Sequence, residues 1–239
     1  MATWDDVPHL AEEQKKELWA SIPPFERDAR AKGKPQLGSG AIYPVAETEI
    51  ACEPFRIPNY WPRVYALDVG WNRTAAVWAA HNDQADVVYI YSEYYRSQAE
   101  PAIHADAIKA RGVWIPGVID PSARGRSQVD GVRLIDTYAN LGLALQMADN
   151  SVEAGLLAVW QRLSSGTLKV FDTCLNWFNE FRIYQRDEKG KIVKKNDHLM
   201  DATRYLIMSG LRIATTEPRP DDYYESQWSD QTRSQVTGY

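Results

Sequence analysis

The chain has 239 residues, of which 44% are apolar and 25% charged, a soluble globular composition long enough for one large domain or two small ones. A net charge of −5 excludes a global basic field, so any nucleic-acid surface must be a local patch. No apolar run approaches a membrane span and no signal-peptide pattern opens the chain; Cys52 and Cys174 are too far apart for a metal pair or disulfide framework, which fits a reducing cytoplasm.

In chain order, a short amphipathic helix is expected over residues 10–22, stopped by Pro23 and Pro24. Gly33, Pro35, Gly38 and Gly40 argue against long regular structure after it. Residues 41–45 and 50–57 read as short strands or extended arms, and residues 1–62 together as a linker or docking arm. A regular pattern begins at Arg63. Apolar runs at 64–68, 74–80 and 86–94, joined by short turn-rich gaps, predict a three-stranded antiparallel meander. A helix over 99–111, a strand over 113–120, a helix over 130–141 and a short strand over 143–147 follow. Ser151, with Glu153 close behind, caps a helix running to Leu163. A strand over 168–171, a helix over 174–184 and a charged, hairpin-like excursion around Gly190 lead to a closing helix on NDHLMDATRY, which Asn196 or Asp197 can cap. This order predicts an α/β domain over 63–213, a mixed β-sheet flanked by helices. Residues 214–239 read as a flexible, mostly disordered tail, in which Tyr223, Tyr224 and Trp228 could anchor a partner.

The closing helix places Asp197, His198 and Asp201 on one face, through i,i+4 and i,i+3 spacings. The plain reading is a cap plus a surface salt bridge to Arg204. The sharper reading is a hard-cation site, which needs oxygen ligands from elsewhere. Asp68 and Asp120 each end an apolar strand, and in a mixed sheet the two strands can lie side by side. The final helix would bring Asp201 across that edge. Three carboxylates so placed repel one another unless cations lie between them. Two Mg²⁺ or Mn²⁺ ions sharing a bridging carboxylate suit the set and could activate a water against a phosphodiester. His198 could position that water, act as a ligand, or orient Asp201. Asp68 before Val-Gly and Asp120 before Pro-Ser also fit turn chemistry. Glu93 could be a fourth ligand or stand behind the ligands, although an outward-facing strand residue is the simpler reading. His9, His81 and His104 show no metal spacing and read as structural or surface residues. For phosphate contacts, Arg124 and Arg126 in SARGRS, Arg73 after the first acid's turn, and Lys189, Lys191, Lys194 and Lys195 on the excursion are candidates. The alternative for the excursion is a solvated charged hairpin.

The stretches ALDVGWNRTAAVW, YIYSEYY, GVIDPSARGRSQVDG, VEAGLLAVWQRL with GTLKVFDTC, and NDHLMDATRY resemble, in order and spacing, the C-terminal nuclease domain of the large terminase subunit of tailed bacteriophages. The resemblance covers residues 63–210, and residues 3–45 resemble the segment joining the motor ATPase to the nuclease. It implies an RNase H-like fold and an endonuclease that cuts concatemeric double-stranded viral DNA. Asp68, Asp120 and Asp201 would hold two divalent cations, with His198 beside them and Asp197 as a helix cap or a support behind the ligands. The implied partners are viral DNA, the terminase ATPase domain, the small terminase subunit and the portal protein, in the host cytoplasm. The chain contains no GxxxxGK[ST] phosphate loop, so an isolated nuclease domain, an expressed fragment, is expected. A noncatalytic docking module for DNA or the portal, or another RNase H-like nuclease such as a junction resolvase, are the competing readings.

Overall fold

The computed structural model describes residues 40–125 and 132–218. Strand β2 (Arg63–Asp68) shows how the sequence makes a two-faced sheet. Its side chains alternate, with Val64 and Ala66 joining the apolar cluster on one face and Tyr65 and Leu67 the cluster on the other. β2 pairs antiparallel with β3 (Thr74–Asn82), and β3 pairs antiparallel with β4 (Val87–Arg96), which is the expected meander. On its other side β2 pairs parallel with β5 (Gly117–Ile119), and β5 pairs parallel with β6 (Leu145–Met147). β4 pairs parallel with β7 (Leu168–Phe171), which pairs parallel with β1 (Ala51–Cys52). The strand order is β1-β7-β4-β3-β2-β5-β6, a mixed sheet.

Helices cover both faces, which is why the central strands are apolar on both. On one face α2 (Pro101–Lys109) and α3 (Leu134–Asn140) bury Ala105, Ile108 and Tyr138 beside Tyr65, Leu67 and Trp78. On the other, α4 (Val152–Ser164), α5 (Leu175–Ile183) and α6 (His198–Met208) contribute Leu156, Val159, Trp177, Phe178, Leu199, Tyr205 and Leu206 to the larger cluster. Each such large apolar side chain contributes roughly 1.5–3 kcal/mol on burial. α6 lies across β2 and β3 and against α4. This contact carries its polar first turn to the end of the sheet where β2 and β5 finish.

Three local expectations change. The strand expected over 113–120 is shorter, because Pro116 has no N–H to give the ladder; its carbonyl accepts from Tyr65 N at 3.1 Å and regular pairing begins at Gly117. The sheet also begins before Arg63. A short helix, α1 (Glu47–Ile50), leads into β1, and Ile42, Tyr43, Ile50 and Ile57 are buried in the larger cluster. Ser151 stands at the start of α4 but makes no capping bond through its side chain. The helix expected over 10–22, Arg126, and Tyr223, Tyr224 and Trp228 of the tail lie outside the described residues. Among the described residues, no helix is long and apolar enough to cross a membrane.

Candidate metal centre and active site

Strand parity and register assemble the acids. Asp68 continues the Val64–Ala66 face of β2, the face that α6 covers. Asp120 follows β5 and continues the face of Val118, which belongs to the same cluster. Leu67 pairs with Ile119, so Asp68 and Asp120 fall level with each other, and Asp120 N donates to the Leu67 carbonyl at 3.0 Å. Asp201, in the first turn of α6, completes the set from above.

The three carboxylates have different partners. Asp68 is buried, and its Oδ2 lies 2.9 Å from His198 Nδ1. Asp120 accepts from Ser122 N at 3.0 Å and from Ser122 Oγ at 2.6 Å, which caps the 3₁₀ turn Pro121–Arg124. Asp201 takes the Lys194 ammonium on Oδ2 at 2.9 Å and the Arg204 guanidinium on Oδ1 at 3.0 Å. Lys194 Nζ also lies 2.9 Å from Asp197 Oδ2, so one ammonium bridges two carboxylates. Arg204 is buried, bonds Asn150 Oδ1 at 3.0 Å and lies over the Tyr205 ring.

The titration shifts show that the charges share one field. Burial pushes the Asp68 carboxyl up; the His198 hydrogen bond opposes this, and the Asp201 and Asp120 charges add to the rise. Its bond to Asp68 pushes the His198 imidazole up, against its own burial. The buried Tyr205 hydroxyl is driven above its ordinary range by burial first and then by Asp120 and Asp201, with Asp68 adding to the effect. Burial alone would lower the Lys194 ammonium, but Asp201 and Asp197 outweigh it and hold the group above its ordinary value.

Hard oxygen donors of this kind suit Mg²⁺ or Mn²⁺. Among the described residues, no three His, Cys, Asp or Glu side chains stand gathered tightly enough to close around an ion as they are placed. The Lys194 ammonium lies on Asp201 Oδ2 and Asp197 Oδ2. The Lys194 side chain is 58% exposed, so water can replace Asp201 as its partner. Carboxylate oxygens are the donor type that divalent cations of this kind take.

The remaining sequence candidates take varied places. Asp197 stands at the helix start but makes no capping bond through its side chain; its carbonyl accepts from Asp201 N at 2.8 Å. Glu93 lies in β4 and caps α5 instead, with Oε1 accepting from Asn176 N and Nδ2 at 2.9 and 2.7 Å and Oε2 from Trp177 N at 2.8 Å. Arg73 lies over the Tyr95 ring, its guanidinium carbon 4.2 Å from the centroid. Arg124 ends the 3₁₀ turn that Asp120 caps. Lys191 N donates to Asp187 Oδ1 in the excursion, and Lys195 N to the Val193 carbonyl. Of the histidines, His81 bridges Asp83 and Asp86, and the buried His104 meets the Tyr94 hydroxyl.

Sequence reasoning missed Glu180. This buried carboxylate of α5 accepts from Tyr95 Oη through Oε1 at 2.6 Å and from Leu199 N through Oε2 at 2.6 Å. It supplies from outside the cap that Asp197 does not. Thr203 Oγ1, which donates to the Leu199 carbonyl, also accepts from Trp177 Nε1 at 2.9 Å and ties α5 to the same turn. The available signal was a lone carboxylate among the aromatics of NWFNEFR.

Comparison with known proteins bears on this arrangement. The family model for the terminase RNaseH-like domain matches residues 66–209. The large terminase subunit of Enterobacteria phage LP7 is 37% identical over 217 residues, covering 87% of this chain and 45% of that protein. That of Salmonella phage P22 is 37% identical over 213 residues, covering 85% of this chain and 42% of that protein. The chain thus spans less than half the length of either relative. The solved nuclease domain of the P22 large terminase superposes with a TM-score of 0.69 at 34% identity, covering 76% of this chain and 97% of that one. The large terminase (g2p) nuclease domain of bacteriophage SPP1, solved with bound Mn, gives a TM-score of 0.50 at 20% identity, over 67% of this chain and 96% of that one, a likeness of fold alone.

Proposed function

The chain belongs to the terminase RNaseH-like domain family, and from that premise we propose that it is a metal-dependent endonuclease domain of a viral DNA-packaging terminase, cutting concatemeric double-stranded DNA. The observation that carries the proposal is the convergence of Asp68, Asp120 and Asp201 from β2, β5 and α6 on one side of the sheet, with His198 bonded to Asp68. Asp68, Asp120 and Asp201 would hold two divalent cations, Mg²⁺ or Mn²⁺. Bound there, such ions would activate a water and stabilise the leaving oxygen of the phosphodiester, leaving 5′-phosphate and 3′-hydroxyl ends.

The chain's own residues prepare that chemistry. His198 fixes one oxygen of Asp68 through Nδ1. Its Nε2 has no partner among the described residues and is the ring atom available to a water. Arg204 holds Asp201 Oδ1, so Asp201 arrives at a set angle, and Ser122 does the same for Asp120. Lys194, now on Asp201, would be displaced if Asp201 held a cation and would then join Arg124, Arg126, Lys191 and Lys195 as a candidate contact for DNA phosphates. Those local cations act against a net charge of −5, so the domain alone would hold DNA weakly and depend on partners for grip. Those partners would be the ATPase domain, the small terminase subunit and the portal protein, in the host cell cytoplasm.

The test is plasmid nicking with Mn²⁺. Asp68→Ala and Asp201→Ala should each remain folded by circular dichroism and lose cleavage. Undiminished cleavage in both variants would refute the assignment. DNA binding by the unmodified protein without cleavage in any divalent metal would favour a docking module instead.

A further inference from the structure

A cavity of about 220 Å³ opens between β4 and α5, lined by Arg73, Tyr95, Asn176, Asn179, Glu180, Ile183 and Asn196. It adjoins the carboxylate cluster through the chain itself. Arg73 lies on the turn that leaves Asp68, and Asn196 immediately precedes Asp197 and His198. Its wall is held firmly. Thr74 Oγ1 donates to the Gly70 carbonyl at 3.1 Å and Gln98 N to the Trp71 carbonyl at 3.0 Å, which pins the turn bearing Arg73. The Tyr95 ring supports the guanidinium from below, and Tyr95 is itself held by its bond to Glu180.

Two donors of the lining are left over, beside Oδ1 of Asn176, whose Nδ2 goes to Glu93. Among the described residues no carboxylate pairs with Arg73, and a guanidinium stacked on an aromatic face keeps its in-plane N–H groups for a planar or tetrahedral anion. Asn179 gives its Oδ1 to Arg182 at 2.9 Å, which leaves its NH₂ as the open group. Both oxygens of Glu180 are already bonded, to Tyr95 and to Leu199 N. An unpaired cation and an open amide beside a cluster of three acids form an anion seat next to a cation seat.

We propose that this cavity seats a DNA backbone phosphate flanking the scissile one, recognised by Arg73 and Asn179; the proposal rests on the nuclease reading. It makes Arg73 the fixed point from which the cleaved strand is laid across Asp68, one phosphate along from the cut. Because a phosphate is common to every nucleotide, the seat would set strand position without reading sequence.

The probes are thymidine 5′-monophosphate, with one phosphate, and thymidine 3′,5′-bisphosphate, with two phosphates one nucleoside apart. Calorimetric titration of each into the full chain with Mn²⁺ should show the bisphosphate binding about tenfold tighter, the scale of a charge-assisted contact. Arg73→Ala should erase that preference and Asn179→Ala reduce it. Arg73→Ala should also lower the salt slope of duplex DNA binding, measured without metal, by about 1. A bisphosphate preference that survives Arg73→Ala, or no preference in the unmodified protein, would overturn the subsite. Failure of the unmodified protein to cut DNA while the preference and the slope change persist would strike the nuclease reading and leave the anion seat standing.

Discussion

Replacing Glu180 with alanine tests how the first turn of α6 is held. The residue is 2% exposed, and its two oxygens accept from the Tyr95 hydroxyl and from Leu199 N, each at 2.6 Å. Alanine leaves Leu199 N buried without a partner and takes the acceptor from the part-buried Tyr95 hydroxyl. An unsatisfied buried donor costs roughly 1–3 kcal/mol, and the lost side chain adds a small cavity. Part of this is offset, because the carboxylate is itself unfavourable to bury; burial pushes its pKa up, with Tyr95 and the Leu199 and Met200 N–H groups opposing. The net loss should be about 2–4 kcal/mol in urea unfolding at pH 7. Glu180→Gln keeps one acceptor and should lose about half as much. The raised pKa sets the sign of the pH dependence. Between the unfolded value of 4.5 and the folded value, the native state holds the extra proton, so this group's contribution falls as pH rises through that window. The deficit of the glutamine variant should therefore shrink with rising pH. His198 and Asp201 ride on the turn that Glu180 caps, so Glu180→Ala should also weaken Mn²⁺ binding. An unfolding free energy within about 0.5 kcal/mol of the parent would refute the capping argument.

Lys194→Ala should tighten Mn²⁺ binding severalfold, since its ammonium competes for Asp201; weaker binding measured by calorimetry would show that Lys194 supports the ions instead. Gly155→Ala would place a Cβ 2.4 Å from Arg204 Cγ, so it should lower the melting temperature, cost about 1–3 kcal/mol and disturb Asp201 through Arg204. The buried His104 is held neutral, its pKa pushed below 6.5 by burial first. The unfolded chain takes up that proton first, so stability should fall as pH drops below 6.5, and His104→Asn should flatten this part of an unfolding-versus-pH profile.

Much of the architecture was legible in the sequence, because strand alternation and helix spacing are local. The continuous apolar run at 64–68 marked a strand ending in Asp68; the structure adds that β2 is buried on both faces, with Asp68 continuing the face of Ala66. The short gaps determined the meander, and the acids at the ends of two apolar runs marked where β2 and β5 finish. The carboxylate cluster and its histidine follow from those local patterns once the final helix is laid across the sheet. Partner choice was not legible. Glu93 caps α5 across 83 positions, His198 reaches Asp68 across 130, and β1 joins β7, with no local spacing to announce any of them. Asp197 looked like a cap because its type and place suit one, yet Glu180 competes for the same N–H groups from a neighbouring helix and takes Leu199 N. The sequence by itself determined which residues are acids at strand ends and on a helix face. Only the tertiary structure decided which cation, donor or amide meets each acid, because that depends on distances between segments that packing alone brings together.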